Sequence, residues 1–276
     1  MNKSNAINFL LYSYFEITLE STLDEIMEAA IRTAYKDASS HVLSIDTEEN
    51  NYNTKNKAIE QMRIEIGKLL NNIEGESYVQ WHGDLCTYLK NIYKDITCDE
   101  RCFTYGIAQK WVNMTMKYLC IINSIYKEYV EEYDNEISVL NNIEIIENEL
   151  HVPVDSFILE SASKIGKQNN KHGFEIKIPN KETYKRNKVE ICMDDRMGHY
   201  SSEKSLPWSK WDFDSEEWKS QTNYYLEFQN SIKSEVEKTG KRSRIDWEGP
   251  AWIEIASDRK KKEMKTLEKK YGKERL

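Results

Sequence analysis

Apolar residues return every three or four positions along most of this chain, which is the period of helices with one buried face. The pattern is strongest between 104 and 129. There Ile107, Ala108, Trp111, Val112, Met114, Leu119, Ile122, Ile125 and Tyr129 leave a narrow polar strip at Lys110, Asn113, Lys117, Ser124 and Lys127. So wide an apolar face predicts a central helix over about 104–130, with the other elements packed around it.

Four helices are expected ahead of it. Residues 6–15 are dense enough in apolar side chains for a first helix packed into the core. Thr22 and Glu25 have the spacing of a capping box, and Ile26, Met27, Ala30, Ile31, Ala34 and Tyr35 carry a helix from there to about 39. The Asn, Asp, Glu and Thr of 44–54 predict an exposed loop. A third helix follows over 57–73, through Ile59, Met62, Ile66, Leu69 and Leu70. A fourth spans 78–93, through Val79, Trp81, Leu85, Leu89 and Ile92. Thr97 and Glu100 form a second possible capping box before the central helix.

After 129 the chain turns acidic, Pro153 interrupts it, and 156–165 reads as a short helix ending at Gly166. Between 166 and 206 the pattern changes. Glycines and a proline come close together, and 174–178 (FEIKI) and 189–193 (VEICM) alternate apolar with polar residues. That period of two predicts a small β hairpin-like insertion over about 172–195. A long helix is expected over 214–238, a basic turn over 240–243, and a Lys-rich helical tail after the aromatic residues around Pro250. The fold class is therefore mainly α: a helical bundle region over 1–150 and a mixed region over 151–276. No Pro/Ser-rich linker separates them.

Composition agrees with long helices, since only four prolines and ten glycines occur in 276 residues. Mean hydropathy is −0.75, yet aromatics reach 11%, which fits a folded core under a charged surface rather than a disordered chain. The abundance of Asn, Lys, Ile and Glu is what an AT-rich bacterial or phage genome imposes. Net charge is −8, but residues 258–276 carry +5, leaving −13 on residues 1–257. An acidic body argues against a broad nucleic-acid platform and leaves the basic C-terminal tail as the one nucleic-acid candidate. The N-terminal apolar run is stopped by Glu16, short of a signal sequence, and no window reaches the ~18 to 20 apolar residues of a membrane span. With five cysteines, an odd number, reduced thiols and a cytoplasmic location (the host cytoplasm for a phage protein) are expected.

Candidate chemistry is sparse. Cys98 and Cys102 have a spacing sometimes found at zinc, with no recognisable second pair. Asp155, Glu175 and Lys177 fit the nuclease pattern in which two carboxylates hold Mg2+ and a lysine steadies the attacking water. Two solvated charges on a two-sided strand account for Glu175 and Lys177 equally simply. His41, His82, His151 and His172 stand alone, and Arg196 and His199 are too close for the Arg/His pair of helical ribonucleases. No Gly-rich phosphate loop, G-x-S-x-G elbow or H-E-x-x-H helix occurs. The aromatic clusters carry more weight. Trp208, Trp211, Trp218, Trp247 and Trp252 are the partner-binding candidates, because Trp offers rigid amphipathic area at protein interfaces. The expectation is a non-enzymatic, cofactor-free protein that forms homo-oligomers and binds another protein. A phage-encoded inhibitor of a host defence complex fits that description. The alternative is a Mg2+-dependent nuclease using Asp155, Glu175 and Lys177.

Overall fold

The structure is a computed structural model describing residues 2–39, 47–73, 75, 77–97, 102–130, 136–168, 178–179, 193–194, 207–212 and 224–271. It is mainly α-helical, as the periodicity predicts. Contacts within the chain group the residues into two compact units. One is Met1–Pro153 with Trp208–Asn223, and the other is Val154–Pro207 with Tyr224–Leu276.

The first unit begins with α1 (Lys3–Phe15), which ends at Glu16 in the left-handed region at φ 62°. α2 (Leu23–Ser39) starts at the predicted capping box: Thr22 N–H donates to Glu25 Oε2 at 2.8 Å and Glu25 N–H to Thr22 Oγ1 at 3.3 Å. α3 (Glu48–Asn71) starts well before the expected 57. Thr47 caps it by accepting from Asn50 N–H at 3.1 Å, Glu48 and Glu49 complement the helix dipole, and Tyr35 O–H donates to Asn51 at 3.1 Å. Capping and one tertiary bond thus turn a polar stretch, read as a loop, into the first two turns of a helix. α4 (Tyr78–Tyr93) follows, then α5 (Tyr105–Tyr129), capped by Thr104.

α5 is the central helix. Its main neighbours are α2 and then α4. Trp111 is fully buried and donates its indole N–H to the Ile31 carbonyl at 2.9 Å, with the Tyr35 ring set edge-on at 4.7 Å. Behind it Tyr93 and Phe103 stack at 4.3 Å. Each large apolar side chain buried in this way contributes about 1.5–3 kcal/mol. The polar strip read along α5 is only partly a surface: Lys110 and Lys117 are half-buried, but Asn113 is fully enclosed.

A short strap, a 3-10 turn at Trp208–Lys210 running on to Asp212, returns to the N-terminus of α5. The cap and the first two residues of α5 bond to it: Thr104 Oγ1 donates to the Ser209 carbonyl at 2.8 Å, Tyr105 N–H to Asp212 Oδ1 at 3.1 Å, and Gly106 N–H to the Trp211 carbonyl at 2.7 Å. The first N–H groups of a helix lack intrahelical acceptors, and the strap supplies them, with the Asp212 carboxylate favoured by the helix dipole. Lys90 pairs with Asp212 at 2.7 Å, and Lys110 lies 4.7 Å from the Trp208 ring centroid. Gly106 is required here, because a Cβ on it would lie 2.0 Å from the Trp208 carbonyl oxygen.

The short α6 (Ile143–Ile146) also belongs to the first unit. The second unit comprises α7 (Ser156–Gln168), α8 (Tyr224–Thr239), α9 (Arg244–Tyr271) and a two-residue antiparallel pair. That pair, β1 (Ile178–Pro179) and β2 (Met193–Asp194), aligns Ile178 with Asp194. The rest of the expected insertion lies outside the described residues. α8 ends at Gly240, whose φ of 69° suits a residue without Cβ, and Ser243 caps α9 by accepting from Asp246 N–H at 3.1 Å. α9 packs on α7, where Arg259 holds Glu160 at 2.8 Å and covers the Phe157 ring at 4.0 Å.

Candidate functional site

The tryptophans take different positions. Trp211 is fully buried in the strap, and Trp208 is half-buried beside Lys110. Trp247 is buried on α9, whereas Trp252, one turn further, is 38% exposed and stacks on Phe157 at 4.9 Å. Trp218 lies outside the described residues. Among these described tryptophans, Trp208 and Trp252 are the ones that present a substantial part of an indole to solvent.

Asp155 caps α7, its Oδ1 accepting from Phe157 N–H at 2.9 Å and Ile158 N–H at 3.0 Å. Glu175 and Lys177 lie outside the described residues, as do Cys98 and Cys192. Among the described residues no three His, Cys, Asp or Glu side chains converge as metal ligands.

One polar cluster that sequence reading did not assemble lies inside the first unit. Asn113 joins α4, α5 and the extended segment after Glu149. Its Nδ2 donates to Gln109 Oε1 at 3.0 Å and to the Val152 carbonyl at 3.1 Å, while Oδ1 meets His82 Nε2 at 2.9 Å. The polarity follows from the partners. Val152 O only accepts, and Gln109 Nε2 is donated to the Gly106 carbonyl at 2.8 Å, leaving Oε1 toward Asn113. The Asn113 oxygen must then face His82, which places a hydrogen on Nε2. In a neutral imidazole, Nδ1 is left to accept from Tyr105 O–H at 3.3 Å. Cys86 lies 3.7 Å from the same ring, and His151 packs edge-on to it at 4.8 Å.

This cluster has the residue types of a catalytic site but not its environment. His82, Cys86, Tyr105, Gln109 and Asn113 are wholly excluded from solvent. Desolvation pushes the Cys86 thiol well above its usual range, and the neighbouring Tyr105 hydroxyl offsets it only in part. A reactive cysteine needs its thiolate, and this one is held as the thiol. What the arrangement can do is fix the register of α4, α5 and the 150–153 segment.

Several buried phenols share that bias toward the protonated form. Burial, with Glu25 nearby, pushes Tyr126 up to about 12. Burial also raises Tyr93, Tyr35 and Tyr118, the last donating to Asp37 and bonded to Tyr14 at 2.9 Å. Each keeps its proton to higher pH in the fold than in the unfolded chain, where tyrosine ionises near ~10. Their contribution is complete below that value and is lost as pH rises through the folded ones, by about 1.4 kcal/mol per pH unit for each group. Urea unfolding should therefore give a stability that is flat from neutral pH to about 9 and then falls steeply. A stability unchanged up to about pH 11 would contradict the burial of these phenols.

The surface feature that stands out is α1. Its thirteen residues carry one charge, Lys3, in a chain that is 31% charged. Only Leu11 and Phe15 are buried, so the helix packs on one side and is not enclosed as its apolar density predicts. Phe9 (66% exposed), Leu10 (60%), Tyr12 (62%) and Tyr14 (55%) wrap the other side. A helix apolar nearly all round is ordinarily enclosed by neighbours. Among the described residues no helix is long and apolar enough to cross a membrane. Compared with protein-family models, curated proteins and solved structures, the chain has no significant match.

Proposed function

We propose that this protein works by binding protein rather than by catalysis, and that it self-associates through α1. The supporting observation is the solvent-facing side of α1, where Phe9, Leu10 and Tyr12 form an apolar surface uninterrupted by charge. Isolated exposed apolar residues are normal, but a contiguous set on one helix marks an interaction surface. A second copy of the chain is the occupant, because an isologous contact of two such helices covers both at once. Trp252 and Ile253, exposed on α9, offer a second apolar surface for a different partner. The AT-rich coding bias and the acidic body fit a bacterial or phage source. Binding without chemistry, in a host cytoplasm, is how a phage-encoded inhibitor of a host defence complex would act.

Light scattering after size exclusion tests this reading. The wild type should have a mass that is a multiple of 32.7 kDa, and Leu10→Glu should return it to one chain. Leu10 is exposed, so the substitution leaves the core of the first unit intact. A wild type that stays monomeric at high concentration, or an oligomer indifferent to Leu10→Glu, overturns the assignment of α1. Mg2+-dependent plasmid cleavage, lost in Glu175→Ala, would instead favour the nuclease alternative.

A further inference from the structure

A cleft of about 410 Å³ opens between α2, α3 and the turn after α1 in the first unit. Its volume is in the range of small-molecule sites. Phe15, Ile17 and Ala29 give it an apolar floor, and Arg32, Lys36 and Lys55 meet along one wall.

Those three cations are incompletely neutralised. Arg32 spends Nε on Glu28 at 2.6 Å, but among the described residues neither terminal nitrogen of its guanidinium is bonded. Among the described residues Lys36 pairs with Glu16 alone, at 3.9 Å, with both side chains largely in solvent. Lys55 has no carboxylate partner among the described residues, and its ammonium rests 5.4 Å from the Tyr35 ring centroid. Burial, then the charges of Arg32 and Lys36, hold its pKa below the ordinary lysine value. Carboxylates also line the cleft. Glu28 is used by Arg32, and Glu25 is held by the capping box at Thr22. Glu16 stands at the rim in a left-handed conformation that a residue with a Cβ adopts at a cost of about 1 kcal/mol.

We infer that this cleft binds a small phosphorylated molecule, with the phosphate on Lys55, Arg32 and Lys36 and the remainder over the Phe15–Ile17 floor. Glu28 engages only the Arg32 Nε and Glu16 reaches Lys36 only at 3.9 Å, so the guanidinium fork and the Lys55 ammonium still face the cleft, and a phosphate dianion with three acceptor oxygens matches them. The guanidinium fork can hold two oxygens while Lys55 takes the third as a point charge. Glu28 and Glu16 are then placed to accept from hydroxyl or amino groups on the same ligand.

Calorimetric titration of the full chain with pyrophosphate, at fixed ionic strength, tests the inference. Saturable binding is expected, with competition from inorganic phosphate and much weaker competition from citrate. Lys55→Met should raise Kd about tenfold or more, equivalent to about 1.4 kcal/mol. Lys57→Met, exposed on the same helix and absent from the cleft, should leave Kd unchanged. Lys55 is only half-buried, so its variant should fold, and circular dichroism confirms that independently. No saturable heat at millimolar pyrophosphate overturns the site. Binding that survives Lys55→Met overturns the placement, and citrate binding as tightly as pyrophosphate overturns the choice of phosphate.

Discussion

Gly106→Ala is expected to detach the strap from α5 and to cost the first unit about 3 kcal/mol or more. The added Cβ would lie 2.0 Å from the Trp208 carbonyl oxygen and 3.2 Å from that of Trp211, and both are backbone atoms that no rotamer change can move. The strap must shift, and with it go the bonds at Gly106, Tyr105 and Thr104 and the burial of Trp211. Urea unfolding gives the magnitude, and a red shift in tryptophan emission reports the exposed indole. Gly67→Ala provides the control. Gly67 lies within α3 with nothing inside 4 Å of where a Cβ would stand, so alanine there should stabilise by about 1 kcal/mol. Opposite signs for the same chemical change separate close approach from helix propensity. Equal signs would mean that the strap does not rest on Gly106.

Asn113→Leu should be similarly damaging, at about 3–5 kcal/mol, although leucine keeps the branching of the lost side chain. The amide is fully buried and serves His82, Gln109 and the Val152 carbonyl together. Removing it leaves those polar atoms facing hydrocarbon, and a buried group without its partner costs about 1–3 kcal/mol. Asn113→Leu combined with His82→Phe and Gln109→Leu should recover part of the loss, because removing both sides of a buried bond is far cheaper than removing one. Denaturation midpoints of the single and combined variants decide it. A single variant as stable as the wild type would show that the cluster does not hold these elements together.

The helices were readable because each has an apolar period long enough to outweigh chance, and the Thr22–Glu25 box marked one start to the residue. The start of α3 was not readable. Its first turns are held by Thr47 and by Tyr35 O–H on Asn51, and a bond between helices leaves no local signal. The same limit hid the polar cluster. Gln109 and Asn113, four apart, suggest a face, but nothing in the sequence says that this face meets His82 and Val152 rather than water. The tryptophans showed where aromatic mass is concentrated, not which side of each indole is covered; Trp211 and Trp252 have the same local signature and opposite exposure. α1 misled in the other direction, since apolar density alone cannot tell an enclosed helix from one awaiting a neighbour.

The strap also sets an order of events during synthesis. The N-terminus of α5 emerges from the ribosome with its first N–H groups unsatisfied, and their acceptors at Trp211 and Asp212 are about a hundred residues away. Residues 154–207 must be made in between, which takes on the order of several seconds at about 5–20 residues per second. Throughout that interval the first unit lacks its last piece, and the groove that will take Trp211 is open to any apolar segment nearby. A nascent chain stalled before residue 208 should therefore recruit chaperones that a chain released past 212 does not.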